Sequence, residues 1–136
     1  MISCKDFNFG AGSFPYAETY TINSPEEKVI DRINTLKEDN ADCVVPKFQW
    51  EGKEIELFDE RKSHWYYFYF YLKDKNQIIM FWTKEAVDPN LTTVALIGVR
   101  DGVGLGNWRT INKDLTEEED IEIKKIFEDR ILSKIK

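Results

Sequence analysis

The sequence predicts an α+β fold, an antiparallel sheet of four to six strands with two helices packed on one face. Three observations carry that expectation. Trp65–Leu72 reads W-Y-Y-F-Y-F-Y-L, seven consecutive aromatics closed by a leucine, and aromatic side chains favour extended backbone. Further short alternating runs follow at residues 77–83 and 91–99, each set off by turn residues. Two other segments, 24–39 and 114–136, carry apolar residues at helical spacing behind capping signals.

Length and charge bound the possibilities. A chain of 136 residues is most simply one domain with a core of its own. We divide it into an N-terminal tether or loop over 1–16 and a single α+β domain over 17–136. The 25 acids against 19 bases leave a net charge of −6, which argues against nucleic acid, since phosphate recognition needs a basic surface. The same balance fits a basic partner protein. One histidine and two well-separated cysteines, Cys4 and Cys43, show none of the paired spacings that zinc requires, and no motif calls for a cofactor. Cys43, in A-D-C-V-V-P, reads as a small buried apolar residue. Two cysteines are too few to define a disulfide framework.

In chain order, residues 8–16 mix glycine, serine and proline with Phe9, Phe14 and Tyr16 and read as a loop tucked onto the domain. Residues 17–22 alternate Tyr20 and Ile22 against Thr19 and Thr21, a short first strand. Ser24, Pro25 and Glu27 then read as N-cap, first helical residue and capping-box partner. Val29, Ile30, Ile33 and Leu36 form the apolar stripe of that helix. Past Pro46 the period shortens. Phe48 and Trp50 lead into a turn at Glu51-Gly52, and Ile55, Leu57 and Phe58 follow as a strand.

The charges at 59–62 and 73–75 fence the aromatic strand and protect it from aggregation. Within it, Tyr66, Phe68, Phe70 and Leu72 share one face, and Trp65, Tyr67, Tyr69 and Tyr71 share the other. Residues 73–76 make a hairpin turn into 77–83, where Ile78, Met80 and Trp82 oppose Ile79 and Phe81. Residues 100–108, R-D-G-V-G-L-G-N-W, hold alternate glycines without a helix directly behind them. A hairpin turn and a weak edge strand suit that spacing better than a phosphate loop. Thr116 and Glu119 form a second capping box, with acids 117–120 at the positive helix end and Ile123, Ile126, Phe127, Ile131 and Ile135 as the stripe.

The first residues, M-I-S-C-K-D, resemble the end of a bacterial lipoprotein signal, in which an apolar residue and a small residue precede the lipidated cysteine. Ile2, Ser3 and Cys4 fill those places, and Lys5 and Asp6 resemble the short sorting signal that follows the cysteine in some Gram-negative groups. The resemblance implies lipid attachment at Cys4 and a lipid-anchored location in the bacterial periplasm or outer membrane. The alternative is a cytoplasmic protein with a plain amino terminus. No membrane contact other than that anchor is expected, since no run approaches the roughly 18 apolar residues of a span.

Catalysis finds little support. His64 stands beside Ser63 and close to Asp59 and Glu60, but a triad is assembled between distant segments and not among neighbours. The expected protein is therefore non-catalytic and binds a partner protein through Trp65, Tyr67, Tyr69 and Tyr71, an immunity or inhibitor protein against a toxin or hydrolase. Tyrosine and tryptophan dominate interface energetics. The alternative on the same surface is a glycan or another small molecule stacked on the rings.

Overall fold

The computed structural model describes residues 15–102 and 107–136. Residues 1–14 of the tether, with the lipobox-like residues and Cys4, lie outside the described residues, as does part of the glycine-rich stretch. Among the described residues the main sheet has six antiparallel strands: β1 (Glu18–Ile22), β4 (Glu60–Lys62), β5 (Trp65–Leu72), β6 (Gln77–Glu85), β7 (Thr92–Asp101) and β8 (Arg109–Thr110). Their order is β1-β7-β6-β5-β4, and β8 pairs with β7 beyond the end of β1. A separate two-stranded hairpin is made of β2 (Phe48–Trp50) and β3 (Lys53–Ile55).

One face of the sheet meets the helices. Helix α1 (Glu26–Asp39) sends Val29 and Ile33 into the core, and α2 (Glu117–Phe127) sends Ile123 and Phe127. They close on Phe68, Phe70, Leu72, Ile79, Phe81, Val94 and Leu96. Phe81 sits at the centre, 5.3 Å from the Phe68 ring and 5.1 Å from that of Phe127. Beyond α2 the chain makes a π turn over Glu128–Leu132 and ends in a short helical segment, α3 (Ser133–Ile135). An apolar stripe spaced every fourth residue drifts by about 40° per step around a regular helix. The wider π turn reverses that drift, and Phe127, Ile131 and Ile135 are all fully buried.

The two helix starts differ. Thr116 caps α2 as expected, its hydroxyl accepting from the Glu119 N–H at 3.2 Å while the Glu119 carboxylate accepts from the Thr116 N–H at 2.9 Å. The box expected at Ser24 does not form: Pro25 holds the cap position in extended conformation without a side-chain cap. Ser24 is recruited to tertiary bonds instead. Its hydroxyl accepts from Arg32 at 3.0 Å and its carbonyl from Thr92 Oγ1 at 2.7 Å.

Two further expectations are corrected. The predicted strand through Leu57 and Phe58 stops at Ile55, and that hairpin stands off the main sheet. Cys43 is half-buried rather than buried, a free thiol raised by desolvation. β8 reaches β7 at Gly98, where any Cβ would stand 2.6 Å from the Arg109 carbonyl oxygen. Only glycine admits that approach.

Tyr20 ties β1 to the C-terminal helical region, its hydroxyl donating to Glu128 Oε2 at 3.2 Å. Burial first, then the Glu128 charge, raises its pKa well above the ordinary 10.0. The folded state thus holds this proton more tightly than the unfolded chain. The resulting stability is complete below about pH 10 and is lost as pH rises above it. We predict that Tyr20→Phe reduces the loss of stability between about pH 10 and 11, measured by urea unfolding. An unchanged slope would show that Tyr20 does not carry it.

Candidate functional site

The second face of the sheet is covered in part. Two helices do lie on the opposite face, but the β2–β3 hairpin and Trp108 lie over one end of this one. Arg100, the register partner of Ile78, is 8% exposed. Its guanidinium lies 5.0 Å from the Phe48 ring centre and 4.9 Å from that of Trp50. Trp108 meets Tyr69 at 6.0 Å. Between them is a cavity of about 250 Å³ lined by Phe48, Trp50, Ile55, Arg100, Asn107 and Trp108.

The other end has a packed cluster of its own. There Trp82, Ala95 and Ile97 form a small second core, with Ala17, Trp65, Tyr67 and Met80 packed against it. Cross-strand register sets Tyr67 opposite Trp82, and their rings stack at 4.2 Å with 10° between planes. Trp65, two residues earlier on the same strand, lies 5.7 Å from Trp82 with 54° between planes. The geometry makes Trp82 a buried floor with Trp65 and Tyr67 lying over it, a packing worth more than its area alone. Lysines cover both outer rings: Lys62 Nζ stands 4.9 Å above Tyr67 and Lys84 Nζ stands 4.9 Å above Trp65.

The structure therefore divides the four predicted residues. Trp65 and Tyr67 belong to the Trp82 cluster. Tyr69 sits at the middle, and Tyr71 donates its hydroxyl to Asn76 Oδ1 at 2.6 Å in its own hairpin turn. All four are half-buried. Desolvation raises the Tyr67 and Tyr69 hydroxyls, and the acids Glu60 and Asp59 add to the effect at Tyr69, so these hydroxyls remain protonated donors at neutral pH.

Sequence reading missed Trp82 as the floor and Lys62 and Lys84 as the flanks. Strand parity already held the signal, since Trp82 and Lys84 alternate on one face of β6. His64 is exposed at the β4–β5 turn, where its carbonyl accepts from Arg61 at 3.1 Å. Beside it a second cavity, of about 460 Å³, is lined in part by Glu26, Arg61, Trp65 and Lys84. Arg61 and Glu26 are ion-paired there at 2.9 Å. Among the described residues, no cluster of three or more His, Cys, Asp or Glu side chains could hold a metal ion, and no helix is long and apolar enough to cross a membrane.

Fold and site define a small α+β domain with a partly covered aromatic sheet face. Comparison of the chain with protein-family models, curated proteins and solved structures gives no match.

Proposed function

We propose that this protein is a non-catalytic, lipid-anchored protein of the bacterial envelope that binds a partner protein, as an immunity or inhibitor protein does with a toxin or hydrolase. The observation that carries the binding reading is the Trp65–Trp82–Tyr67 stack, which holds two half-exposed rings rigid on a buried floor. Rings fixed before binding lose little entropy when a partner meets them, which is how tyrosine and tryptophan become interface anchors. The envelope reading rests on the lipobox-like Ile2-Ser3-Cys4.

The test is capture of a partner from native envelope extract by the wild-type protein and by Trp65→Ala and Tyr67→Ala. We expect one stoichiometric partner with the wild type, and at least about tenfold less with either variant. Equal capture by all three proteins, or unchanged toxin sensitivity on deletion of the gene, would remove the proposal. The cavity between Trp50 and Trp108 favours a second reading, a glycan or small ligand stacked on tryptophan. Its mark is a rise in melting temperature with saccharides that Trp108→Ala abolishes.

A further inference from the structure

We infer that the groove between the end of α1 and the loop over residues 56–59 takes a basic segment of a partner protein, one apolar side chain flanked by lysine or arginine. The inference is independent of the ring stack proposed above, since the groove shares no residue with the Trp82 cluster. The loop leaves β3 after Ile55 and enters β4 at Glu60. Its Asp59 is fixed by the Tyr69 N–H at 3.0 Å and by Lys37 at 2.7 Å. That anchors the chain beside Phe58, whose ring stands 60% exposed. On the opposite wall the chain is extended at Val44, after the turn Ala41–Cys43. Val45 is therefore turned inward and Val44 outward, at 7% and 53% exposed. Between the walls lies a cavity of about 430 Å³, lined in part by Val44, Val45, Leu57, Phe58, Glu38 and Glu56. Two exposed apolar side chains around one cavity with a polar rim have the make-up of an interaction site.

The rim gives the occupant its charge. Lys37 also lines the cavity, but its ammonium is committed to Asp59 and to the Tyr69 carbonyl. Glu56 faces Lys47 at 3.8 Å, with the two side chains 42% and 56% exposed, a loose surface pair of little worth. Glu38 is exposed and stands with Asp39 in the last turn of α1. Acids there oppose the helix dipole, whose negative end lies at the same place, so helix stability does not explain them. In α2 the run Glu117–Asp120 stands at the opposite, favourable end. Cations from outside would relieve Glu38 and meet Glu56 while the apolar residue between them enters the cavity. A second copy of the chain fits worse. A two-fold interface sets the same acids against themselves, with a net charge of −6 on each copy. A stable dimer also buries about 800 Å² on each partner, more than four apolar side chains supply.

The probe is a labelled peptide with one leucine between two pairs of lysines, titrated into the full chain and followed by fluorescence anisotropy. One control peptide replaces the leucine with serine and another replaces the lysines with glutamates. We expect the leucine-lysine peptide to bind at about 0.05 M salt and to weaken at about 0.5 M, with each control bound at least about tenfold more weakly. Val44→Ser with Phe58→Ser should weaken binding about tenfold or more, and so should Glu38→Lys with Glu56→Lys. Glu117→Gln with Glu118→Gln, in the acidic run of α2, should leave it unchanged. All four side chains of the groove variants are exposed, so far-UV circular dichroism and the urea midpoint should stay near wild type. Equal binding of the serine peptide, or an equal loss from the α2 acids, would show attraction to net charge alone and overturn the inference. A dimer in light scattering that Val44→Ser with Phe58→Ser converts to monomer would give the groove to a second copy and overturn it as well. Were Trp65→Ala to abolish partner capture while the groove variants left both capture and peptide binding unchanged, the ring stack would stand and the groove would fall.

Discussion

Replacing Trp82 with alanine is expected to lower the stability of the fold by about 3–5 kcal/mol, the range for removing a large aromatic from a packed interior. Trp82 is 2% exposed and supports two other rings, Tyr67 at 4.2 Å and Trp65 at 5.7 Å. The substitution therefore removes a side chain and also the surface on which its neighbours lie. Urea unfolding should show a lower midpoint with little change in slope. Trp82→Phe keeps a flat floor and should lose less than half as much, whereas Tyr67→Ala, at a half-exposed position, should fall between wild type and Trp82→Ala. A loss under about 1 kcal/mol for Trp82→Ala would show that the second core contributes little. Partner binding provides the independent reading. Trp82 does its work beneath the surface, so Trp82→Phe should preserve binding where Trp65→Ala does not.

Much of this site was readable as parity and little of it as partnership. Alternation told which residues of Trp65–Leu72 share a face, and the register of β5 on β6 agrees with it in every rung. It did not tell that Tyr67 would face Trp82, since cross-strand register is set by turn geometry and packing. Phe48 and Trp50 showed strand-like spacing, yet nothing local said that their hairpin would leave the sheet and clasp Arg100. That buried guanidinium depends on two rings about fifty residues earlier in the chain, a distance at which neither periodicity nor capping carries information. The caps show the same contrast. Thr116 and Glu119 satisfy each other within one turn, so sequence suffices. Ser24 has the same chemistry and is claimed by Arg32 and Thr92 from other elements.

Asp59→Ala is expected to cost about 2–3 kcal/mol, because it leaves a half-buried cation and a strand N–H without their acceptor. Strand β4 begins at Glu60, opposite Tyr67, so among the described residues the next outward-facing peptide groups of β5, those of Tyr69, have no strand beside them. Side chains stand in for it. Asp59 Oδ1 accepts from the Tyr69 N–H at 3.0 Å, and Lys37 Nζ donates to the Tyr69 carbonyl at 2.5 Å while pairing with Asp59 Oδ2 at 2.7 Å. The two side chains are only 13% and 20% exposed, which places the pair well above the small worth of surface ion pairs. Asp59→Asn retains an acceptor for the N–H and should lose less. Lys37→Met combined with Asp59→Ala should lose less than the two single losses added together, since each single variant strands the other's partner. Removing this clamp also opens the edge of the most apolar strand in the chain, and an open edge templates pairing with another copy. Asp59→Ala should accordingly lose monomer with time in size-exclusion chromatography, faster at higher protein concentration. If it stays monomeric while stability falls as expected, the clamp serves the fold alone and the edge is guarded by the charges of β4.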